Sequence, residues 1–464
     1  MGLFWFFCVC TYFLHSDSKT LVEGFSLSSS AISCLSPNKA SIRRSSSTRN
    51  IYHELSPDAA ATALLATPDS NDAKEPLTTT NVLVVGGSGR VGGSTVRWLK
   101  KYSSRDPDID LEIKVGGRSK KSFDVAKRNG VIPDGNIEFV PLDWAEWDDT
   151  QIEKAILGCD CGLVVHTAGP FQGRTDPTLL RCCVKHKIPY VDVCDEFELA
   201  AKAKELFDQT AKEDGVTAVV ASGIWPGVSA LMAANAVEKL EAEHPDQKAD
   251  TIDFSFFTAG TGNAGPTIVS ATFLLLATPV LTFRAGKKTE VEPWTDPRDI
   301  DFGSAVGTKP IWLLDNPDVP TTALSLGVPN VSSRFGTDPL PWNYLFGAMK
   351  AIPRNILYDR NLMQNFALFS EPIIRFVDLL VGATNAMRVD VTSKDGTAKV
   401  TSQIVHDDLE MCVGLATAAF AIEVLKKGDD KTIPAGVWYP AELPKSARAN
   451  ILEAAREGTL TYVV

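Results

Sequence analysis

Short runs of aliphatic residues alternate with longer polar segments through the first half of the chain. Six runs fit β-strands, at residues 81–85, 111–115, 137–140, 162–166, 190–192 and 216–220. The segments between them repeat apolar residues at helical spacing. This alternation predicts a doubly wound parallel sheet of the Rossmann type, an α/β fold whose ligands bind beyond the carboxyl ends of the strands.

The pattern changes after residue 230. Residues 251–257 alternate like a strand, and a glycine turn then opens a helix from Pro266 to Ala277. The apolar run continues to Phe283, is interrupted by Pro279 and is too short to span a bilayer, so we expect a buried or interface helix. This part of the chain is predicted to be an α+β substrate domain.

The remaining boundaries follow from these patterns. We predict a Rossmann domain at residues 79–229, the α+β domain at 230–405, and a C-terminal segment at 406–464 whose helix packs back on the first domain. With 464 residues and 44% hydrophobic composition, the chain is long enough for two domains after a leader.

Residues 1–78 have the composition of a targeting leader. Residues 2–14 resemble the core of a signal peptide, and a serine-rich, basic stretch with almost no acid follows them. The tandem is similar to the bipartite leaders of algae with secondary plastids, so we expect the chain in the chloroplast stroma and no transmembrane span after leader removal. A secreted protein or a signal anchor are the alternatives. The six later cysteines lack the regular spacing of a disulfide framework, which favours a reducing compartment.

A glycine-rich turn, Gly86-Gly-Ser-Gly-Arg-Val-Gly92, joins the first predicted strand to its helix. We assign the tight turn to Gly87, the backbone approach to a pyrophosphate to Gly89, and the close packing of helix on sheet to Gly92. The unpaired N–H groups at the start of the helix suit a phosphate. The predicted cofactor cradle consists of Gly87, Ser88, Gly89, Arg90, Val91 and Gly92.

The end of the second strand indicates which dinucleotide binds. Where a carboxylate would hold the ribose of NAD, this chain has Arg118, Ser119 and Lys120. A guanidinium binds a 2′-phosphate through charge-assisted hydrogen bonds, so we predict NADP as the cofactor. The alternative is a solvated basic turn before a helix.

The loops after the third and fourth strands complete the predicted cofactor site. Asp143 is a candidate for the adenine end, with a solvated loop residue as the alternative, and Ala168, Gly169 and Pro170 are expected nearer the nicotinamide.

Catalytic candidates follow the fifth strand. Asp195 is our candidate for proton donor or orienting group, and Asp192 is the second; the alternative is that both cap the next helix. His166 lies in an apolar strand, where a satisfied core histidine is the better interpretation. No pattern typical of a metal site occurs, so no metal is expected.

Three motifs carry a family resemblance. The segments Ala168-Gly-Pro-Phe171, Ile188-Pro-Tyr-Val-Asp192 and Ser222-Gly-Ile-Trp-Pro-Gly227 resemble signatures of the saccharopine dehydrogenase-like reductases. The resemblance implies an NADP-dependent oxidoreductase that transfers a hydride to or from a small organic substrate. Second domains of this kind often pair across a dimer, so a homodimer is expected. Trp225 stands where true saccharopine reductases tend to have an acid, which argues against saccharopine as the substrate.

Other classes are weaker. The net charge of −11 argues against a nucleic-acid partner. An atypical short-chain reductase would use a Tyr-x-x-x-Lys pair, which this chain lacks. A non-catalytic NADP-binding sensor, or a membrane-associated scaffold that uses the apolar patch at residues 273–283, is the alternative to an enzyme.

Overall fold

The computed structural model describes residues 79–169, 173–262 and 264–464, and of residues 267 and 268 only the backbone. The predicted leader, residues 1–78, and Pro170 of the predicted cofactor site lie outside the described residues.

The strands of the described chain belong to two sheets. They are β1 (Thr80–Val85), β2 (Leu111–Gly117), β3 (Glu138–Pro141), β4 (Leu163–His166), β5 (Tyr190–Asp192), β6 (Thr217–Val219), β7 (Ala249–Ala259), β8 (Val280–Arg284), β9 (Lys287–Val291), β10 (Arg298–Asp301), β11 (Thr308–Leu313), β12 (Asn330–Asp338), β13 (Asn385–Ser393), β14 (Lys399–His406), β15 (Gly436–Trp438) and β16 (Thr459–Val463).

Helices surround both sheets. They are α1 (Arg90–Arg105), α2 (Lys120–Arg128), α3 (Asp149–Gly158), α4 (Thr178–Lys185), α5 (Phe197–Asp214), α6 (Val228–Glu243), α7 (Pro266–Leu275), α8 (Asp318–Leu326), α9 (Leu340–Met349), α10 (Arg354–Leu357), α11 (Arg360–Val381), α12 (Leu409–Leu425) and α13 (Lys445–Ala455).

The first sheet has the strand order β15-β6-β5-β4-β1-β2-β3, and every pairing in it is parallel. The predicted doubly wound α/β fold is confirmed. Strands β2 and β3 are added on one side of β1, whereas β4, β5 and β6 are added on its other side. In such sheets a ligand crevice opens at this switch point, between β1 and β4. The loops after β1, β2, β4 and β5 therefore share one edge.

Both faces of this sheet are covered because its strands are apolar on both sides. Leu83 and Val85 cluster with Ile152 and Ile156 of α3. Side chains alternate across a strand, so the buried Val84 points to the opposite face. Helices α1 and α12 pack against each other there and contact the strands. The six cysteines of the described chain are free thiols.

The second sheet is mixed, in the order β10-β11-β12-β7-β13-β14-β16, with β8 and β9 attached to β12. Its central strand β7 runs parallel to β12 and antiparallel to β13. The predicted second α+β fold is therefore present.

The buried or interface helix predicted for the apolar run 268–283 is wrong in its second half. Helix α7 ends at Leu275, and β8 begins at Val280 and pairs with β9. Pro279 lacks the N–H that a helix needs, whereas β8 completes its hydrogen bonds in the sheet. Phe273 and Leu281, which belong to the apolar patch that the scaffold alternative would use, are buried.

The C-terminal segment contributes to both sheets. Strand β15 pairs with β6 in the first, and β16 pairs with β14 in the second. Helix α12 returns to α1, and Gly414 approaches so closely that a methyl group on it would lie 2.7 Å from the backbone carbonyl carbon of Ser94. The boundaries at residues 229 and 405 stay a prediction.

Candidate functional site

The glycine turn after β1 is closed by backbone hydrogen bonds. The Gly86 N–H donates to the Gly116 carbonyl and the Gly89 N–H donates to the Gly86 carbonyl, each at 2.8 Å. The residue in the left-handed region is Gly86, with φ of +83°, and not Gly87 as the motif suggested. Gly87 is required for a different reason, since a methyl group there would lie 2.9 Å from the Val115 side chain.

Gly92 lets helix α1 approach the turn. A methyl group at this position would lie 2.6 Å from the Thr167 hydroxyl oxygen and 2.7 Å from the Gly87 Cα, well inside ordinary contact distance. The close packing predicted for Gly92 therefore has a steric cause.

The cradle fits a dinucleotide pyrophosphate. The Ser88 hydroxyl oxygen is buried and has no hydrogen-bond partner among the described residues. Helix α1 has no side-chain cap at Gly89 and no acid in its first turn, so its amino-terminal N–H groups meet no competing carboxylate from that turn. Arg90 and Val91 open this helix and flank the same turn. An anion held here would satisfy both the hydroxyl and the N–H groups.

The loop after β4 lies against the cradle. A methyl group on Gly86 would sit 2.7 Å from the Ala168 Cα, so these two backbones are in direct contact. The Gly169 N–H donates to the Thr167 carbonyl at 3.1 Å, which turns this loop at the crevice. The structure thus brings Ala168 and Gly169 to the cradle, because β4 lies beside β1 in the first sheet.

The three polar residues predicted at the ribose end differ in their surroundings. Ser119 caps α2, because its hydroxyl oxygen accepts from the Ser122 N–H at 3.2 Å. Lys120 forms an ion pair with Asp124 at 2.6 Å. Arg118 is exposed and has no acidic partner among the described residues. Its guanidinium is therefore available to an anionic ligand at the end of β2.

Asp143 shapes its own loop after β3. Its carboxylate accepts from the Ala145 N–H at 3.2 Å, and its carbonyl accepts from the Trp147 N–H at 3.0 Å. The side chain is half-buried. Its role at the adenine end stays a prediction.

His166, Tyr190 and Asp192 form a buried polar chain at the carboxyl ends of β4 and β5. The His166 Nδ1 and the Tyr190 hydroxyl oxygen are 3.0 Å apart. Burial lowers the pKa of His166 to about 3, so the imidazole is neutral. The core position predicted for this histidine agrees with that environment.

Asp192 holds two loops in place. Its carboxylate accepts from the Ala221 N–H at 2.9 Å and from the Cys194 N–H at 3.0 Å. Burial raises its pKa to about 6. These contacts join the loop after β5 to the loop after β6, and neither is a helix cap. The geometry gives Asp192 a positioning role, and its catalytic role stays a prediction.

Asp195 is exposed in the loop after β5, unlike Asp192. Its neighbour Glu196 accepts from the Gly173 N–H at 3.3 Å, which links this loop to the loop after β4. Burial raises the pKa of Glu196. The structure therefore places exposed and half-buried carboxyl groups at the crevice edge.

Sequence reasoning missed Asp315, which follows β11 in the second sheet. Burial raises its pKa to about 6, and the nearby Glu196 carboxylate contributes to that rise. The Asp315 carboxylate accepts from the Leu281 N–H at 2.8 Å. No local pattern marks this residue, because only the approach of the second sheet to the α5 amino terminus brings it to Glu196.

The Trp225–Gly227 turn joins the two sheets. The Trp225 indole stacks on Phe256 at 4.9 Å between ring centroids and lies 5.9 Å from Phe335. Its Nε1 atom is buried without a hydrogen-bond partner in the described chain. Trp225 is thus a packing residue against the second sheet, at the position where true saccharopine reductases tend to have an acid.

Asp318 is buried beneath the same turn. It accepts from the Gly227 N–H at 3.3 Å and from the Ser229 hydroxyl. Burial raises its pKa from 3.8 to about 7.

An ion pair joins the cradle to the second half of the chain. The Arg90 guanidinium contacts the Glu410 carboxylate of α12, whose other oxygen accepts from the Gly265 N–H at 2.9 Å. Glu410 is buried and Arg90 is partly exposed. The first turn of α1, the start of α12 and the turn before α7 therefore meet at one carboxylate.

The parallel sheet, its reversal at β1 and β4 and the glycine cradle define a Rossmann-type dinucleotide-binding domain. Residues 82–219 match the saccharopine dehydrogenase NADP binding domain, which confirms the predicted resemblance for this domain. NADP is the cofactor that such a domain binds.

A curated relative and a solved structure are similar to the chain. Carboxynorspermidine synthase of Vibrio cholerae is 23% identical over 185 residues, which cover 37% of this chain and 43% of that protein. The chain therefore aligns with less than half of this relative. The structure of saccharopine dehydrogenase (L-Glu forming) from Saccharomyces cerevisiae has a TM-score of 0.54 at 14% identity, covering 83% of this chain and 99% of the other, and it shows the fold.

These findings support an oxidoreductase. No helix in the described part of the chain is long and apolar enough to cross a membrane.

Proposed function

We propose that the protein is an NADP-dependent oxidoreductase that transfers a hydride to or from a small organic substrate with a C=N, C=O or C=C bond. The observation that carries the proposal is the cradle with its orphaned Ser88 hydroxyl, beside the unpaired Arg118 at the end of β2. The stacked Trp225 argues against saccharopine as the substrate.

The bound cofactor would supply or accept the hydride at its nicotinamide ring. The chain's own residues would hold it: the Gly87–Gly92 turn at the pyrophosphate, Arg118 at the 2′-phosphate, and Ala168 and Gly169 toward the nicotinamide. In the reducing direction, the carbon of the double bond gains the hydride and its partner atom gains a proton. Asp195 is the proposed donor of that proton, because it is the exposed carboxyl group of our two catalytic candidates.

Charge reversal at Arg118 tests the cofactor assignment. Arg118→Asp removes a charge-assisted contact worth about 1.5–3 kcal/mol, so NADPH affinity should fall by about 10- to 150-fold while NADH affinity stays unchanged. Titration with NADPH and NADH, followed by nicotinamide fluorescence, measures both. Lys202→Asp, at an exposed position on α5, makes the same charge change away from the cradle and serves as the control. Equal loss for both dinucleotides would contradict the 2′-phosphate assignment.

A panel of imines, enones and keto acids then tests the reaction. Oxidation of NADPH by any member supports the reductase and identifies the class of substrate. Tight NADPH binding without turnover on the panel would instead favour the NADP-binding sensor.

We further propose that residues 1–78 direct the chain to a plastid. A fusion of these residues to a fluorescent protein, expressed in an alga with a secondary plastid, should co-localise with chlorophyll. Secretion of the fusion would contradict this proposal.

A further inference from the structure

The outer face of helix α11 is an exposed apolar strip. Phe376, Leu379 and Leu380 are 63%, 84% and 70% exposed, and Leu368 and Ile373 are about half exposed. We call these five residues the α11 strip. At 3.6 residues per turn, positions 368, 376 and 379 follow one side of the helix, and 373 and 380 lie next to it. The strip is therefore continuous over more than three turns.

The inner face of α11 is packed against the protein. Met363, Ala367 and Ile374 are buried on its inner side. Its charged residues lie between the two faces, where the Arg375 guanidinium pairs with the Asp378 carboxylate at 3.3 Å. A helix that is apolar on both faces is stable in water only when both are covered, and the described residues leave the outer one exposed.

The size of the strip is that of an interface core. Taking about 200 Å² for a fully exposed side chain of this kind, the five residues expose on the order of 600 Å² of apolar surface. This is at the upper end of about 300–600 Å² for the largest patch of an ordinary monomer. A stable interface buries about 800 Å² per partner, with an apolar centre of about 65%. The α11 strip thus supplies the apolar centre of one such interface.

We propose that the α11 strip is the surface on which a second copy of this chain docks. One helix face with apolar residues at three- and four-residue spacing is self-complementary when two copies meet across a two-fold axis. The proposal does not depend on the activity proposed above.

Charge favours a second copy over a lipid surface. Helices that lie on membranes carry lysine and arginine along their polar face, where they meet anionic lipid. Here Arg375 is paired with Asp378, and Arg354 near the helix start is paired with Glu292 at 2.8 Å. The chain as a whole carries a net charge of −11.

The interface would support the candidate site. Asp378, next to Leu379, accepts from the Thr261 N–H at 2.9 Å and from the Thr261 hydroxyl at 2.7 Å. Arg375 donates to the Ala264 carbonyl at 2.8 Å. These residues hold the turn that leads to Gly265 and the Arg90–Glu410 ion pair. Docking on the outer face would therefore fix a helix that braces the crevice from its inner side.

Sedimentation velocity of the full chain between about 1 and 50 μM tests the proposal over the Kd range of a standard-size interface. We expect a dimer for the wild type and a monomer for the double variant Leu379→Glu/Leu380→Glu, with dimerisation weakened at least 100-fold. A second variant, Leu379→Ser/Leu380→Ser, should show the same direction with a smaller loss. Leu206→Glu on α5, where the leucine is 56% exposed away from the strip, should remain dimeric.

Thermal unfolding and circular dichroism confirm that each variant is folded. A wild type that stays monomeric at 50 μM would overturn the proposal, as would a dimer that the two strip variants leave intact. Flotation of the wild type with vesicles of phosphatidylcholine and phosphatidylglycerol, lost in the Leu379→Glu/Leu380→Glu variant, would assign the strip to a lipid surface and also overturn it.

Discussion

Replacing Gly92 by alanine tests whether the cradle requires the close approach of α1 to β1. The added methyl group would lie 2.6 Å from the Thr167 hydroxyl oxygen and 2.7 Å from the Gly87 Cα. Favourable contacts between such atoms lie at about 3.5–4.0 Å, so the helix start must move by about 1 Å. Because the Gly87 Cα is a backbone atom, rotation of the Thr167 side chain alone cannot relieve the overlap.

The cost follows from this overlap. Extra methylene groups in a well-packed interior cost about 1–3 kcal/mol. If the displacement falls on the N–H groups that face the pyrophosphate, the same energy weakens NADPH binding by about 5- to 150-fold. If α1 moves as a whole, the loss appears as a lower free energy of unfolding instead.

NADPH titration and thermal unfolding of Gly92→Ala measure both parts. Gly158→Ala is the inert control, since this exposed glycine ends α3 and a methyl group there meets nothing within 4 Å. Gly414→Ala overpacks α12 against Ser94, which lies one turn into α1 and not at its first N–H groups, so we expect it to lower stability with a smaller effect on NADPH affinity. Wild-type affinity and stability in Gly92→Ala would refute the steric argument.

Three further outcomes are expected. Asp195→Asn should lower turnover by about 10²- to 10⁴-fold on any substrate that the panel identifies, with the Kd for NADPH unchanged; unchanged turnover would move the donor elsewhere. Because burial raises the pKa of Asp318 from 3.8 to about 7, the folded state holds an extra proton between these values, and stability falls as the pH rises through that window and levels off above it. Urea denaturation should therefore show that the free energy of unfolding falls between pH 6 and 8 by about 1 kcal/mol more in the wild type than in Asp318→Asn. The same pH dependence in both proteins would contradict this. Arg90→Met leaves the buried Glu410 carboxylate without its ion pair and should destabilise the cofactor-free protein by about 1–3 kcal/mol, since Arg90 itself is 40% exposed and solvent screens the pair. Adding Glu410→Gln should restore most of that loss; additive effects of the two substitutions would argue against coupling.

The sequence predicted the first sheet well because each strand is a short apolar run that needs no distant partner to be recognised. Strands β1 to β6 fall within about two residues of the expected runs. The strands and helices of the second half of the chain were predicted less accurately. The apolar run at residues 266–283 has the composition of one helix, and only the pairing of β8 with β9 divides it.

In the candidate site, too, local features were predicted and features that depend on distant contacts were missed. The glycine cradle and Arg118 are local features, and their spacing relative to a strand and a helix indicates their ligand. Asp192 was predicted as catalytic from its place after a strand, but its partners are backbone N–H groups on two different loops. Asp315 was not predicted as a site residue because the groups around it belong to distant parts of the chain.

The sequence by itself therefore determined strands β1 to β6 and the cofactor, since strand runs, turn glycines and a basic residue after β2 act over a few residues. Tertiary structure decided which charges are paired, as for Arg90 and Glu410, which are 320 residues apart. It also decided which apolar faces are covered. Helical spacing marks α11 as apolar, but a helix pattern is the same whether its second face meets a neighbouring element or solvent, so only the packing of the whole chain shows the α11 strip exposed.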